Sequence, residues 1–309
     1  MMRDVVICEC FARDGLQHEP DFVSTDAKVA LIEQFAAVGF ERVEATSYSN
    51  PSFVPQFGDA SELLRRLARR PGVFYKATCA NVRAVERALA DNAAGFGANE
   101  ISLLVSATES HSERNLRRSR QDQWQNIAAM VAAAGDCFRK IGTVSVAFGC
   151  PFEGKVATVS VLQDVERLAA LGVRYVTLGD TTGMATSKTV KALFQEAIVS
   201  FPDVTFISHF HDTRGTGLVN CLAAFDAGVR YFDSAFGGVG GHPAKVKYGG
   251  GHTGNVSTED LVNLLESEGI RTGIDLPGML GVGQACEQVL GRQLHSRVIQ
   301  SGLNPVLAA

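Results

Sequence analysis

The 309-residue chain predicts a (β/α)8 barrel. Short β-branched runs alternate with longer helical patterns eight times, which is the signature of a parallel sheet. No shift in composition divides the repeats, and eight such units in a chain of this length are enough to close. The alternative, an open doubly wound sheet, wants a glycine-rich phosphate turn after its first strand. Phe11-Ala12-Arg13-Asp14-Gly15 is not such a turn.

The units follow in order. Residues 5–10 read as a strand and 25–38 as a helix with Ser24 or Thr25 near its cap; 42–47 and 60–70 repeat the pair. Strand 73–79 leads to helix 82–90, and strand 100–106 to a helix over 122–140 that holds the one tryptophan, Trp124. The pairs 143–149 with 159–171, 175–178 with 187–200, 204–209 with 218–227, and 230–234 with 258–268 complete the ring. Residues 1–275 therefore form the expected barrel. Residues 276–309 form a C-terminal helical extension, with a helix over 284–298 packing on the barrel or at a subunit interface.

A net charge of −4 and a pI near 6.0 give no nucleic-acid footprint. No apolar run is long enough to span a bilayer, and the N-terminus enters a strand pattern at once, so neither a membrane nor a signal peptide is expected. Seven cysteines without CxxC spacing fit free thiols in a reducing cytoplasm. Cys8 and Cys10 share one strand face. That pair suits a metal or redox site, but free cysteine is commonly buried, and packing beneath the helices is the expected role.

Barrel chemistry sits at the C-terminal ends of the strands. The first strand is followed by Arg13, Asp14 and Gln17; the second carries Glu44 and Thr46 and ends at Ser47. The fourth leads to Ser106 and Glu109, and the sixth ends at Asp180-Thr181-Thr182. The seventh ends in His209-Phe210-His211, whose i, i+2 spacing sets both imidazoles on one face. Two such imidazoles suit one divalent cation, with a carboxylate or amide oxygen completing the shell. A glycine-rich loop, 237–254, carries His242 and His252 and precedes Asn255.

These strings resemble the hydroxymethylglutaryl-CoA lyase family. The match runs through Arg13-Asp14-Gly15-Leu16-Gln17, Glu44-Ala45-Thr46-Ser47, Val105-Ser106-Ala107-Thr108-Glu109 and Gly149-Cys150-Pro151-Phe152-Glu153-Gly154-Lys155. It continues in Leu178-Gly179-Asp180-Thr181, His209-Phe210-His211-Asp212-Thr213 and Gly254-Asn255-Val256-Ser257. The resemblance implies a divalent cation, magnesium or manganese, held by Asp14, His209, His211 and Asn255. It implies retro-Claisen cleavage of a 3-hydroxyacyl-CoA thioester to acetyl-CoA and a keto acid or aldehyde. Arg13 would steady the enolate, with Glu44 and Asp180 deep in the pocket and His209 also catalytic. Gln17, Thr46, Ser47 and Lys155 would join Arg13 in holding the substrate, Lys155 at the CoA phosphates. A homodimer or homotetramer is expected by the same analogy. Glu259 and Asp260, in a helix's first turn, and Asp212, beside a turn, read as structural.

One departure stands out. The family carries a catalytic cysteine after Gly-Leu-Gly-Gly, and here Gly238-Val239-Gly240-Gly241 is followed by His242. An imidazole can carry a proton near neutrality, so His242 is the expected replacement; the other readings are a loop reshaped for another acyl group and a histidine that is only a spacer. The alternatives are a lyase for a related thioester such as citramalyl-CoA, a Claisen-type condensing synthase, and a non-catalytic barrel that binds metal or CoA.

Overall fold

The computed structural model describes residues 3–241 and 254–308. Within them eight parallel strands close into a barrel in sequence order. They are β1 (Val6–Glu9), β2 (Arg42–Ser47), β3 (Phe74–Cys79), β4 (Glu100–Ser106), β5 (Arg139–Ser145), β6 (Tyr175–Asp180), β7 (Thr205–Phe210) and β8 (Tyr231–Ser234). Closure is made by β1 against β8, with Cys8 opposite Asp233 and Glu9 opposite Ser234.

The helices are α1 (Thr25–Ala37), α2 (Ala60–Arg66), α3 (Val82–Ala93), the one-turn α4 (Glu109–His111), α5 (Arg120–Ala134), α6 (Thr158–Ala170), α7 (Ser187–Ser200), α8 (Gly217–Asp226), α9 (Thr258–Ser267), α10 (Leu276–Leu290) and α11 (Arg297–Ser301). Side chains start several of them by accepting an otherwise orphaned backbone N–H: Ser24 for α1, Asn81 for α3, Thr186 for α7 and Ser257 for α9.

The period-two alternation of each strand sorts its side chains. On β3, Tyr75, Ala77 and Cys79 join the apolar layer under the helices, while Lys76 and Thr78 face the barrel interior. At the opposite end from the mouth, ion pairs plug the barrel. Arg42 Nη2 lies 2.6 Å from Glu100 Oε1, and Arg139 Nε donates to Glu100 Oε2 at 2.6 Å.

Three expected elements are corrected. The helix predicted over 122–140 ends at Ala134, because Gly135 adopts φ 51 and ends the helix. Arg139 and Lys140 instead begin β5, pairing with Glu100 and Ile101. That strand stops at Ser145 rather than Gly149, since Val146 turns to φ 53. The predicted 284–298 helix is two helices. Gly291, in the left-handed region, ends α10, and Ser296 caps α11. Asp260 on α9 accepts from Ser296 Oγ and the Val298 N–H, which fixes α11 against the barrel. Among the described residues no helix is long and apolar enough to cross a membrane.

Candidate active site

The π-helical turn Phe11–Gly15 after β1 delivers Arg13 and Asp14 to the mouth. Buried Glu9 holds that turn: its Oε1 accepts from the N–H of Phe11 and also from Phe236 beyond β8, and Thr258 donates to its Oε2. On the far side, His211 and Asn255 form an antiparallel bridge, flanked by the Asp212 N–H donating to Gly254 O and the Val256 N–H to Phe210 O.

These supports bring four expected residues together. The ligand atoms of Asp14, His209 and His211 lie within 4.8 Å of one another. His209 Nε2 is 3.2 Å from His211 Nε2 and 3.9 Å from Asp14 Oδ2. Asn255 Nδ2 donates to Asp14 Oδ2 at 2.7 Å and to Val239 O at 2.9 Å. Its Oδ1 is buried with no hydrogen-bond partner among the described residues, facing the cost that buried acceptors normally avoid. A carboxylate, two imidazoles and an unsatisfied amide oxygen fit a divalent cation. Gly240 completes the enclosure: at φ 117 it lies so close that a side-chain carbon there would overlap Asn255 Nδ2.

Electrostatics follow the same geometry. Burial works to raise the Asp14 carboxyl, but Arg13, the two imidazoles and Asn255 outweigh it and hold the group well below the usual range. Burial works to lower His209, and the carboxylates of Asp233 and Asp14 prevail, raising it. Asp233 Oδ2 lies 3.4 Å from His209 Nδ1 and so orients the ring. Arg13 Nη1 donates to Asp14 Oδ1 at 3.0 Å, with its Nε 3.7 Å from Glu44 Oε1.

Below the mouth lies a cavity of about 100 Å³, lined by Arg13, Asp14, Gln17, Glu44, His209 and His211 among others. Other expected residues are placed differently. Asp180 turns away from the cavity, its two oxygens accepting the N–H groups of Met184 and Ala185, and burial pushes its carboxyl up to about 6. Thr46 and Ser47 are not among the residues that line the cavity; a register shift between Glu44 and Thr46 sets Thr46 opposite Ala77 of the apolar layer. Ser47 Oγ bonds Thr78 O and Ser49 Oγ instead. Lys155 is exposed on the loop after β5. His242 and His252 lie outside the described residues. Glu259, Asp260 and Asp212 are structural, as expected: Glu259 accepts the Gly237 N–H, Asp260 fixes α11, and Asp212 accepts the Gly217 N–H.

Sequence reasoning missed Lys76 and Asp233. Each is a charge inside a buried strand, and that was the available signal. Cys8 and Cys10 also differ from expectation. Their thiols lie 3.9 Å apart, grouped with Asp233 inside the barrel rather than beneath the helices. Burial raises the Cys10 thiol well above its ordinary range, so it is inert as a nucleophile.

Fold and site together define a (β/α)8 barrel enzyme with a polar, cation-suited mouth. The HMGL-like family model matches residues 4–285. Human mitochondrial hydroxymethylglutaryl-CoA lyase is 36% identical over 298 residues, spanning 96% of this chain and 89% of that one. The Bacillus subtilis hydroxymethylglutaryl-CoA lyase YngG is 34% identical over 299 residues, spanning 96% and 97%. An HMG-CoA lyase from Acinetobacter baumannii, solved with coenzyme A and 3-methylmalate, superposes with a TM-score of 0.90 at 37% identity, covering 97% of this chain and 95% of that one. The chain belongs to the HMGL-like family, and it is a hydroxymethylglutaryl-CoA lyase-like enzyme, a carbon–carbon lyase.

Proposed function

We propose that this enzyme is a divalent-cation-dependent lyase that cleaves a 3-hydroxyacyl-CoA of the hydroxymethylglutaryl-CoA type to acetyl-CoA and a keto acid. The observation that carries the reading is the unsatisfied Asn255 Oδ1 converging with Asp14, His209 and His211 beside Arg13. The names of the relatives, and the coenzyme A bound to one of them, support a CoA thioester. The oxygen-containing donor set supports magnesium or manganese over thiolate-type zinc.

A bound cation would supply Lewis acidity at the substrate's hydroxyl oxygen. In the cleavage the 3-hydroxyl loses its proton and its oxygen forms a carbonyl. The C2–C3 bond breaks, its electron pair becomes the thioester enolate, and C2 then takes up a proton. Arg13 holds a permanent charge where the enolate oxygen develops. We assign the hydroxyl's proton to Glu44, the cavity carboxylate that lies beside Arg13 and accepts from Thr78 Oγ1. His209 is assigned to the cation rather than to proton transfer, because its Nε2 faces His211 and Asp14. Gln17 belongs with the substrate at the cavity wall, Lys155 with CoA on the rim, and His242 with protonation of C2. The resemblance supports a homodimer or homotetramer, and seven free cysteines support a reducing cytoplasm, which light scattering and fractionation would read.

Incubation of the purified protein with manganese or magnesium and hydroxymethylglutaryl-CoA should yield acetyl-CoA and acetoacetate. Absence of both, with citramalyl-CoA or another thioester cleaved instead, rejects this substrate. Consumption of acyl-CoA with a keto acid, and no cleavage, rejects the lyase direction.

A further inference from the structure

We infer that Lys76 recognises a carboxylate on the acyl group, so that the enzyme selects thioesters whose 3-hydroxyacyl chain ends in one; this rests on the lyase reading above. Lys76 lies on β3 with its side chain 4% exposed, and it lines the cavity. Its Nζ is 3.7 Å from Glu44 Oε2 and 3.7 Å from Asp233 Oδ2. Those are ion-pair distances, beyond hydrogen bonding, and an ammonium carries three donors. A second buried lysine shows what full satisfaction looks like. Lys28 Nζ donates to Gln56 O at 2.5 Å and to both oxygens of Asp59 at 2.9 and 3.0 Å.

The two carboxylates near Lys76 already have other partners. Glu44 faces Arg13 and accepts from Thr78, while Asp233 faces Arg42 Nη1 at 3.5 Å and His209. Arg13, Arg42, Lys76 and Arg139 match Asp14, Glu44, Glu100 and Asp233 in charge, so these eight side chains carry no net charge, and a divalent cation would add positive charge that a ligand carboxylate would offset. The shared oxygen Asp233 Oδ2 sets the ammonium beside His209, and the shared Glu44 carboxylate sets it beside Arg13. The wall around it is hydrophilic: Thr78, Ser102, Thr143 and Thr177 line the cavity, and Thr177 Oγ1 is buried without a hydrogen-bond partner among the described residues. Thr78 already donates to Glu44, and Ser102 bonds Thr143, but an aliphatic acyl tail would leave Thr177 Oγ1 and the Lys76 ammonium dry, whereas a carboxylate accepts from them.

The test compares 3-hydroxy-3-methylglutaryl-CoA with 3-hydroxy-3-methylbutyryl-CoA, which lacks the acyl carboxylate, in both cleavage and calorimetric binding. The wild type should favour the carboxylate-bearing thioester by about 10- to 100-fold, the range of a charged hydrogen bond. Lys76→Met should bring that ratio near one by raising KM and Kd for the glutaryl thioester far more than for the butyryl one. Lys76→Arg, which keeps the charge should the Met variant fold poorly, should retain most of the preference. The ratio is taken within each protein, so a general loss of stability cancels. An unchanged ratio in Lys76→Met, or its loss in a well-folded Lys76→Arg, overturns the role of Lys76 and leaves the lyase intact. If the wild type binds and cleaves neither thioester, the lyase reading fails, and the inference with it.

Discussion

Asn255 divides its amide between two tasks: the nitrogen braces Asp14 and the Val239 carbonyl, and the oxygen is left for a ligand. Asn255→Leu should therefore raise the manganese Kd by about 10- to 100-fold, with turnover falling alongside. Arg13→Met should behave differently. On the proposed mechanism it would remove the donor for the enolate but no ligand of the cation, so turnover should drop by about 100- to 1,000-fold with manganese affinity within a few-fold of wild type. Calorimetry and an acetyl-CoA assay on the same preparations separate the two. At this scale the mouth was legible because Arg13, Asp14, His209, His211 and Asn255 stand in strings that mark the family. Lys76 and Asp233 were not, because single charges within the runs Phe74–Cys79 and Tyr231–Ser234 acquire partners only when strands distant in sequence face one another.

Glu9 works at the scale of elements, tying the turn after β1 to the turn after β8. Burial, offset only in part by Thr258 and two backbone donors, pushes its carboxyl from 4.5 up to about 8. The native state thus keeps a proton that the unfolded chain releases near 4.5. The stability this lends is complete below that pH and is lost as pH climbs toward 8. Glu9→Gln keeps an acceptor for both backbone donors without titrating, so its melting temperature should decline less than the wild type's between pH 5 and pH 8, by a few degrees in thermal melts. The loop after β8 has its own requirement. Gly240→Ala should displace Asn255 and weaken manganese binding with the circular dichroism spectrum unchanged. Most elements were readable from period and caps. The α5–β5 junction was not, because the alanine-rich helix runs toward Phe138 and Arg139 with one glycine as its stop, and the register that Glu100 imposes on Arg139 belongs to the sheet rather than to either segment.

Across the whole molecule, closure of β1 on β8 and assembly of the proposed cation site coincide, since Asp14 and Asn255 come from opposite ends of the barrel sequence. A ligand that binds only the closed form stabilises it by mass action, so saturating manganese at about 100 times its Kd should add about 2.7 kcal/mol, read as a rise in melting temperature. Asn255→Leu should abolish most of that rise. Barrel closure itself was legible, because eight alternations leave few other topologies, but the neutral charge lattice within it was not.

The sequence separation of 241 between Asp14 and its amide partner has a consequence for biosynthesis. A ribosome that has released the first strand must deliver nearly all the remaining polypeptide before that carboxylate meets Asn255. Nascent fragments therefore lack the complete donor set, and on the proposed reading a cation would be taken up only late in translation, once the segment after β8 has docked.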